Sequence, residues 1–240
     1  LKINLLILNF LVVKGEIKCV LMDIEGTTTS VSFVYDVLFP YFLANIDKLL
    51  LNDSIEVVNA FEQVNAIVKG EGGMDLHSRQ DGINQLVRWC KEDRKVTPLK
   101  FLQGIIWEEG YLSGKLVSHV YDDVPLALKL WQAANIELAV FSSGSVEAQK
   151  LIFKFANQGD LSNYLSAYFD TVTGPKRETN TYTIIADQLQ FSASSILFLS
   201  DIREELMAAE EAGMKTIQLV RPGTTSNWKN TAENFTEINC

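Results

Sequence analysis

Five short apolar runs recur along this chain, each ending on polar or turn-forming residues, and a helix-like segment precedes each of the last four. They are Ile17 to Met22 (IKCVLM), Ile136 to Phe141 (IELAVF), Ala167 to Thr171 (AYFDT), Ile196 to Ser200 (ILFLS) and Thr216 to Val220 (TIQLV). Runs of this length without an apolar–polar alternation read as strands buried on both faces. The intervening stretches, Val124 to Asn135, Val146 to Asn157, Thr181 to Gln188 and Glu204 to Ala212, carry helical periodicity. Strand alternating with helix at this spacing predicts right-handed βαβ units and a doubly wound parallel sheet.

The interval after the first strand breaks the pattern. From about Phe33 to Ser118 the chain is helical in period, over Val34 to Leu50, Ser54 to Val68, Asp81 to Lys91 and Pro98 to Glu109, with Gly70, Gly72 and Gly73 marking a loop. The expected organisation is an α/β core, 15–32 and 119–240, interrupted by a helical cap at 33–118. The polar tail after Arg221-Pro222-Gly223 is expected to cap the core. Residues 4–13 (NLLILNFLVV) form an apolar run with no small-residue cleavage site behind it, and ten residues are too few to span a bilayer. Residues 1–14 are therefore taken as an extension of unknown role.

In an open α/β sheet, ligands bind outside the carboxyl ends of the strands. Four strand ends here carry polar chemistry. Asp23-Ile24-Glu25-Gly26-Thr27-Thr28 places a carboxylate where it can attack phosphorus, with a second acid two residues on for proton transfer or metal binding. Ser142-Ser143-Gly144-Ser145 opens a helix, and hydroxyls with backbone N–H groups at a helix N-terminus suit an anion. Gly174-Pro175-Lys176-Arg177 offers a cation, with Lys176 and Arg177 both candidates. Ser200-Asp201-Ile202-Arg203-Glu204-Glu205 supplies a hard oxygen at Asp201 and, one helical turn later, Glu205 to orient Asp201 or a metal-bound water.

Taken singly, each has a plain structural reading: a turn, a serine N-cap, a solvated lysine, and acids in a first helical turn. Together they do not. Two unit charges about 4 Å apart interact by roughly 4 kcal/mol at an effective dielectric of 20. Crowding Asp23, Glu25 and Asp201 beside a phosphate dianion therefore requires a divalent cation. The formal net charge of −9 argues against a nucleic-acid partner. Two histidines exclude a histidine-rich metal site, and three scattered cysteines, Cys19, Cys90 and Cys240, fit a reduced cytoplasmic setting.

The order of these four motifs resembles the haloacid dehalogenase superfamily. The segments DIEGTTTSVSFVYDVLFPYF, LQGIIWEEGYLSGKLVSHVYDDVP, VFSSGSVEAQKL and FLSDIREELMAAEEAGMKT are similar to the acireductone-forming enolase-phosphatases of methionine salvage. Glu25 carries part of that likeness, since most superfamily phosphatases have Asp there. The resemblance implies Asp23 as nucleophile, one Mg²⁺ held by Asp23, Glu25 and Asp201, and substrate phosphate bound by Ser142, Ser143 and Lys176. It implies a catalytic part for Glu25 and Lys176, and a soluble cytoplasmic monomer with no nucleic acid or membrane partner. The implied substrate is 2,3-diketo-5-methylthiopentyl-1-phosphate, enolised and then dephosphorylated to 1,2-dihydroxy-3-keto-5-methylthiopentene.

Asn180, in TNTY, departs from the acidic or serine residue usual there. Phe33, Trp107 and Tyr111 are aromatic candidates for the cap's wall. The rival readings are a phosphatase for another small phosphate ester, a dehalogenase (which would leave the acidic cluster unexplained), and a non-catalytic scaffold. The last is disfavoured because Asp23 and Lys176 are both retained.

Overall fold

The computed structural model describes residues 11–12 and 16–240. Apart from Leu11–Val12, the extension at 1–14 lies outside the described residues. Its six-stranded sheet is parallel throughout. The strands are β2 (Cys19–Met22), β3 (Glu137–Phe141), β4 (Ala167–Phe169), β5 (Ile196–Ser200), β6 (Lys215–Leu219) and β7 (Thr231–Ala232). Their order is β4-β3-β2-β5-β6-β7. A separate two-residue strand, β1 (Leu11–Val12), pairs in parallel with β8 (Ile238–Asn239).

The five apolar runs all become strands, because alternate residues feed two cores. Val20, Met22, Leu138, Val140, Leu197 and Leu199 face one side and pack on α6 (Val124–Ala133) and α7 (Val146–Lys154). Cys19, Leu21, Ala139, Phe141 and Phe198 face the other, against α8 (Thr179–Leu189) and α9 (Arg203–Glu211). Each large apolar side chain so buried stabilises the fold by about 1.5–3 kcal/mol. Cys19 and Cys90 are buried free thiols.

Between β2 and β3 the chain builds a third core of its own, running from Phe33 to Leu116 and joined by Ala148 of α7. Its main helices are α3 (Ile55–Gly70), α4 (Arg79–Lys91) and α5 (Thr97–Leu112). α4 begins at a capping box, Ser78 with Asp81, which satisfies backbone donors at the helix start. The first helical stretch differs from the expected continuous helix. It runs as α1 (Val31–Phe33), a π turn at Val34–Leu38, α2 (Phe39–Asn45) and a 3₁₀ segment at Ile46–Leu51. Pro40 explains the break: it has no N–H, and its ring would strike the carbonyl four residues back, at Asp36.

The tail does more than cap. β7 extends the sheet beyond β6, and Phe235 is fully buried with its ring 5.5 Å from Trp131. Asp123 accepts bonds from both terminal nitrogens of Arg221, each at 2.9 Å, and from the backbone N–H of Phe235 at 2.7 Å.

Candidate active site

β2 sits in the middle of the sheet, with β3 on one side and β5 on the other. The chain winds outward from β2 through β3 to β4, then returns to β5 and winds the opposite way. That reversal opens a crevice at the carboxyl ends of β2 and β5. In register, Met22 lies opposite Leu199, and the Asp23 N–H donates to the Leu199 carbonyl at 2.8 Å. The first residue past β2 therefore meets the first residues past β5.

Asp23 is buried, and its Oδ1 accepts from the Ile24 N–H at 2.8 Å and from Lys176 Nζ at 2.5 Å. Burial raises its pKa well above the carboxylate range; Lys176 pulls it down, while Glu205, Glu25 and Asp201 push it further up. Burial lowers the Lys176 pKa, but Asp23 and Glu205 outweigh that effect and raise it overall, favouring the ammonium. Glu205 lies 2.7 Å from Lys176 Nζ and accepts from the Ser200 hydroxyl at 3.0 Å. It thus grips the lysine rather than Asp201. Arg177, the competing cation, is exposed.

Lys176 is aimed by its own loop. At Gly174, φ is +154°, and a Cβ there would come within 2.3 Å of Thr181 Oγ1, the hydroxyl that donates to the Pro175 carbonyl. The Tyr182 hydroxyl donates to the Lys176 carbonyl at 2.7 Å. Asn180 is exposed on the first turn of α8, away from this loop's bonds.

Gly26 has φ +76°, and a Cβ there would meet the Asp201 carboxylate at 2.3 Å. Only a glycine lets the turn after Asp23 pass this close. Burial raises the Asp201 pKa to about 6, and its Oδ1 is buried without a hydrogen-bond partner. A carboxylate oxygen left bare in an acidic crevice suits a cation. Glu25 turns toward β3, where its Oε2 accepts from the Ser142 hydroxyl at 3.1 Å. Ser142 Oγ also accepts from the Gly144 N–H at 3.0 Å, ordering the loop before α7. Among the described residues, no three His, Cys, Asp or Glu side chains gather closely enough to hold a metal unaided.

The residues 23, 25, 142, 176 and 201 thus meet at one sheet edge. A cleft runs from there into the insert, with Glu25, Ser142 and Ser143 on the core wall and Leu38, Gln103 and Trp107 on the other. Of the three aromatic candidates, Trp107 lines this cleft and donates from Nε1 to the Leu38 carbonyl at 2.9 Å. Phe33 packs inside the insert, while Tyr111 stacks on Phe155, the core residue that follows α7.

Arg221 carries no sequence motif that marks it as part of the site. It is buried, donates from Nε to the Thr27 carbonyl at 3.0 Å, and ties the turn after Asp23 to Asp123 and the tail. Its only signal was its place just beyond the last long apolar strand.

A family model for haloacid dehalogenase-like hydrolases matches residues 17–213. A Picosynechococcus enolase-phosphatase E1 is 49% identical over 212 residues, covering 88% of this chain and 92% of the relative. One from Pseudomonas aeruginosa is 46% identical over 222 residues, covering 92% and 98%. Among solved structures, the UTR4 protein of Saccharomyces cerevisiae is 32% identical with a TM-score of 0.76, covering 91% of this chain and 98% of that one. The chain is a member of the haloacid dehalogenase-like hydrolases and, within them, of the enolase-phosphatase E1 family.

Proposed function

We propose that this enzyme, an enolase-phosphatase of methionine salvage, converts 2,3-diketo-5-methylthiopentyl-1-phosphate to the acireductone and inorganic phosphate, with Asp23 as its nucleophile. The observation that carries the site assignment is the Asp23–Lys176 pair, 2.5 Å apart and buried, beside Glu25, which lines a cleft shared by core and insert. The core would comprise 15–32 and 119–240, and the insert at 33–118 would act as a cap that excludes water from the reacting groups.

Asp23 attacks phosphorus through a carboxylate oxygen, forming an aspartyl phosphate that water then cleaves. Lys176 offsets charge on both the nucleophile and the phosphoryl oxygens. The Ser142 hydroxyl and the backbone N–H groups at the start of α7 receive the phosphate. Glu25, held by Ser142, stands two residues from the nucleophile, where it can exchange a proton with the leaving oxygen or the attacking water.

Asp23 and Asp201 would hold Mg²⁺, and Glu25 would join them by releasing Ser142. Two carboxylates completed by water and phosphate suit this ion, and the bare Asp201 oxygen fits it. When bound, Mg²⁺ supplies positive charge against phosphoryl and enolate oxygens. A cytoplasmic monomer acting on a small molecule completes the reading. Among the described residues no helix is long and apolar enough to cross a membrane.

The test is turnover of the diketone phosphate with and without Mg²⁺. The expected result is Mg²⁺-dependent appearance of the acireductone chromophore together with inorganic phosphate. Phosphate release from simple esters, with no enediol signal from the diketone, would overturn the substrate assignment.

A further inference from the structure

The charge balance of the site leaves a gap. Four acids, Asp23, Glu25, Asp201 and Glu205, face one another around a single lysine. That lysine already serves two of them, at 2.5 and 2.7 Å. An incoming phosphate ester adds further negative charge, and enolisation adds more on a carbonyl oxygen. Even with one divalent ion the core side of the site carries more negative than positive charge.

Three cationic side chains from the insert line this cleft: Arg94, Lys95 and Lys100. Arg94 is paired with Glu71 and Lys95 with Asp93. Lys100 differs. It stands in the first turn of α5, half-buried, and reaches across to the core, where Nζ donates to the Ser143 carbonyl at 3.2 Å and to Thr171 Oγ1 at 3.0 Å. Both partners are neutral. Burial lowers its pKa and Lys95 lowers it further, against more distant help from Asp170 and Glu147. An ammonium taken from water onto two neutral oxygens is under-compensated, and a nearby anion gains it readily. The Ser143 carbonyl it touches belongs to the loop that opens α7, where the phosphate is proposed to sit.

We propose that Lys100 is a substrate-contacting residue: it exchanges its neutral acceptors on the core for an anionic oxygen of the bound substrate, either a phosphoryl oxygen or the enolate oxygen next to the phosphate-bearing carbon. This rests on the assignment of the cleft to the diketone phosphate. It also makes Lys100 the contact through which the insert senses an occupied site. Gln103 and Trp107, further along the same face of α5, continue the wall toward the apolar end of the cleft.

The experiment compares K100Q, K100M, K100R and T171V with wild type. Three readouts are used: turnover of the diketone phosphate, turnover of a simple phosphate ester without a carbonyl, and inhibition by inorganic phosphate. K100Q and K100M are expected to lose about 10- to 100-fold in kcat/KM on the diketone, with K100R retaining more and T171V close to wild type, at unchanged melting temperature. If the oxygen is phosphoryl, the simple ester suffers equally and inorganic phosphate binds more weakly. If it is the enolate, only the diketone suffers, and the loss falls on kcat. K100Q matching wild type on both substrates overturns the proposal, as does T171V matching K100Q, which would mark a structural latch. Wild type inactive on the diketone would defeat the substrate assignment instead; the simple ester and phosphate inhibition then decide on Lys100.

Discussion

The two walls of the cleft hold their lysines differently. On the core wall, Lys176 is buried between Asp23 and Glu205, and Glu205 is held in turn by Ser200. On the insert wall, Lys100 has only a carbonyl and a hydroxyl, and its neighbour Gln103 finds just the Cys90 sulfur, at 3.7 Å. A network whose members each satisfy another is rigid, and losing one member strands the rest. A wall with loosely satisfied polar groups keeps its hydrogen-bonding capacity for a ligand. The core wall is therefore suited to chemistry common to phosphate esters, and the insert wall to choosing among them. Core changes should lower kcat on every substrate; insert changes should act on the diketone, with Lys100 reaching simple esters as well only if its anionic partner is the phosphoryl group.

The largest effect belongs to Asp23→Asn. The amide keeps the shape but is no nucleophile, so phosphate release from any ester should fall by more than about a thousandfold while the circular dichroism spectrum is unchanged. Retained turnover would remove covalent catalysis from the core wall. Gly26→Ala comes next. Its Cβ would strike the Asp201 carboxylate, and φ +76° is strained for alanine. Displacing Asp201 by about an ångström should cost on the order of a hundredfold in kcat for diketone and simple ester alike. A loss confined to the diketone would break the division between the walls.

The difference between the walls also explains what could be read from sequence. Asp23, Ser142 and Asp201 follow directly on apolar strands, and Lys176 lies on the loop after another. A strand's burial is a local pattern, and parallel pairing then brings such ends together. What was not legible depends on partners far apart in the chain. Helical spacing alone sets Glu205 beside Asp201, yet it turns to Lys176, whose loop follows β4 on the opposite flank of β2 from β5. Arg221 and Asp123, 98 residues apart, read as ordinary surface charges until the tail folds over α6. Phe235 lies in a polar stretch with no periodicity, so its burial and the β7 pairing left no local mark. Lys100, in a helical insert, gave no sign of reaching across to Ser143.

Arg221→Met tests whether the core wall's rigidity extends to its support. The substitution fills much of the same volume but leaves the Asp123 carboxylate with only the Phe235 N–H and the Thr27 carbonyl without its arginine donor. Breaking a buried pair costs about 3–5 kcal/mol, so urea unfolding should show a loss of that order. Because Thr27 belongs to the turn after Asp23, kcat should fall on both substrates, though less than in Gly26→Ala. A destabilised variant with full kcat would confine Arg221 to fastening the tail.

The smallest effect is expected at Trp107→Phe, and it separates the walls most cleanly. Phenylalanine retains an aromatic face toward the cleft but loses the Nε1–H bond to the Leu38 carbonyl, a bond worth about 0.5–1.5 kcal/mol. Leu38 closes the π turn where Pro40 interrupts the first helix, so losing that bond loosens the insert's wall without touching Asp23, Lys176 or Asp201. The KM for the diketone phosphate should rise a few-fold, roughly as a single lost contact predicts, while kcat and simple-ester turnover stay at wild-type values. Equal losses on both substrates would mean that the insert sets the geometry of the phosphate site as well as its selectivity. The contrast between the walls would then be one of composition only.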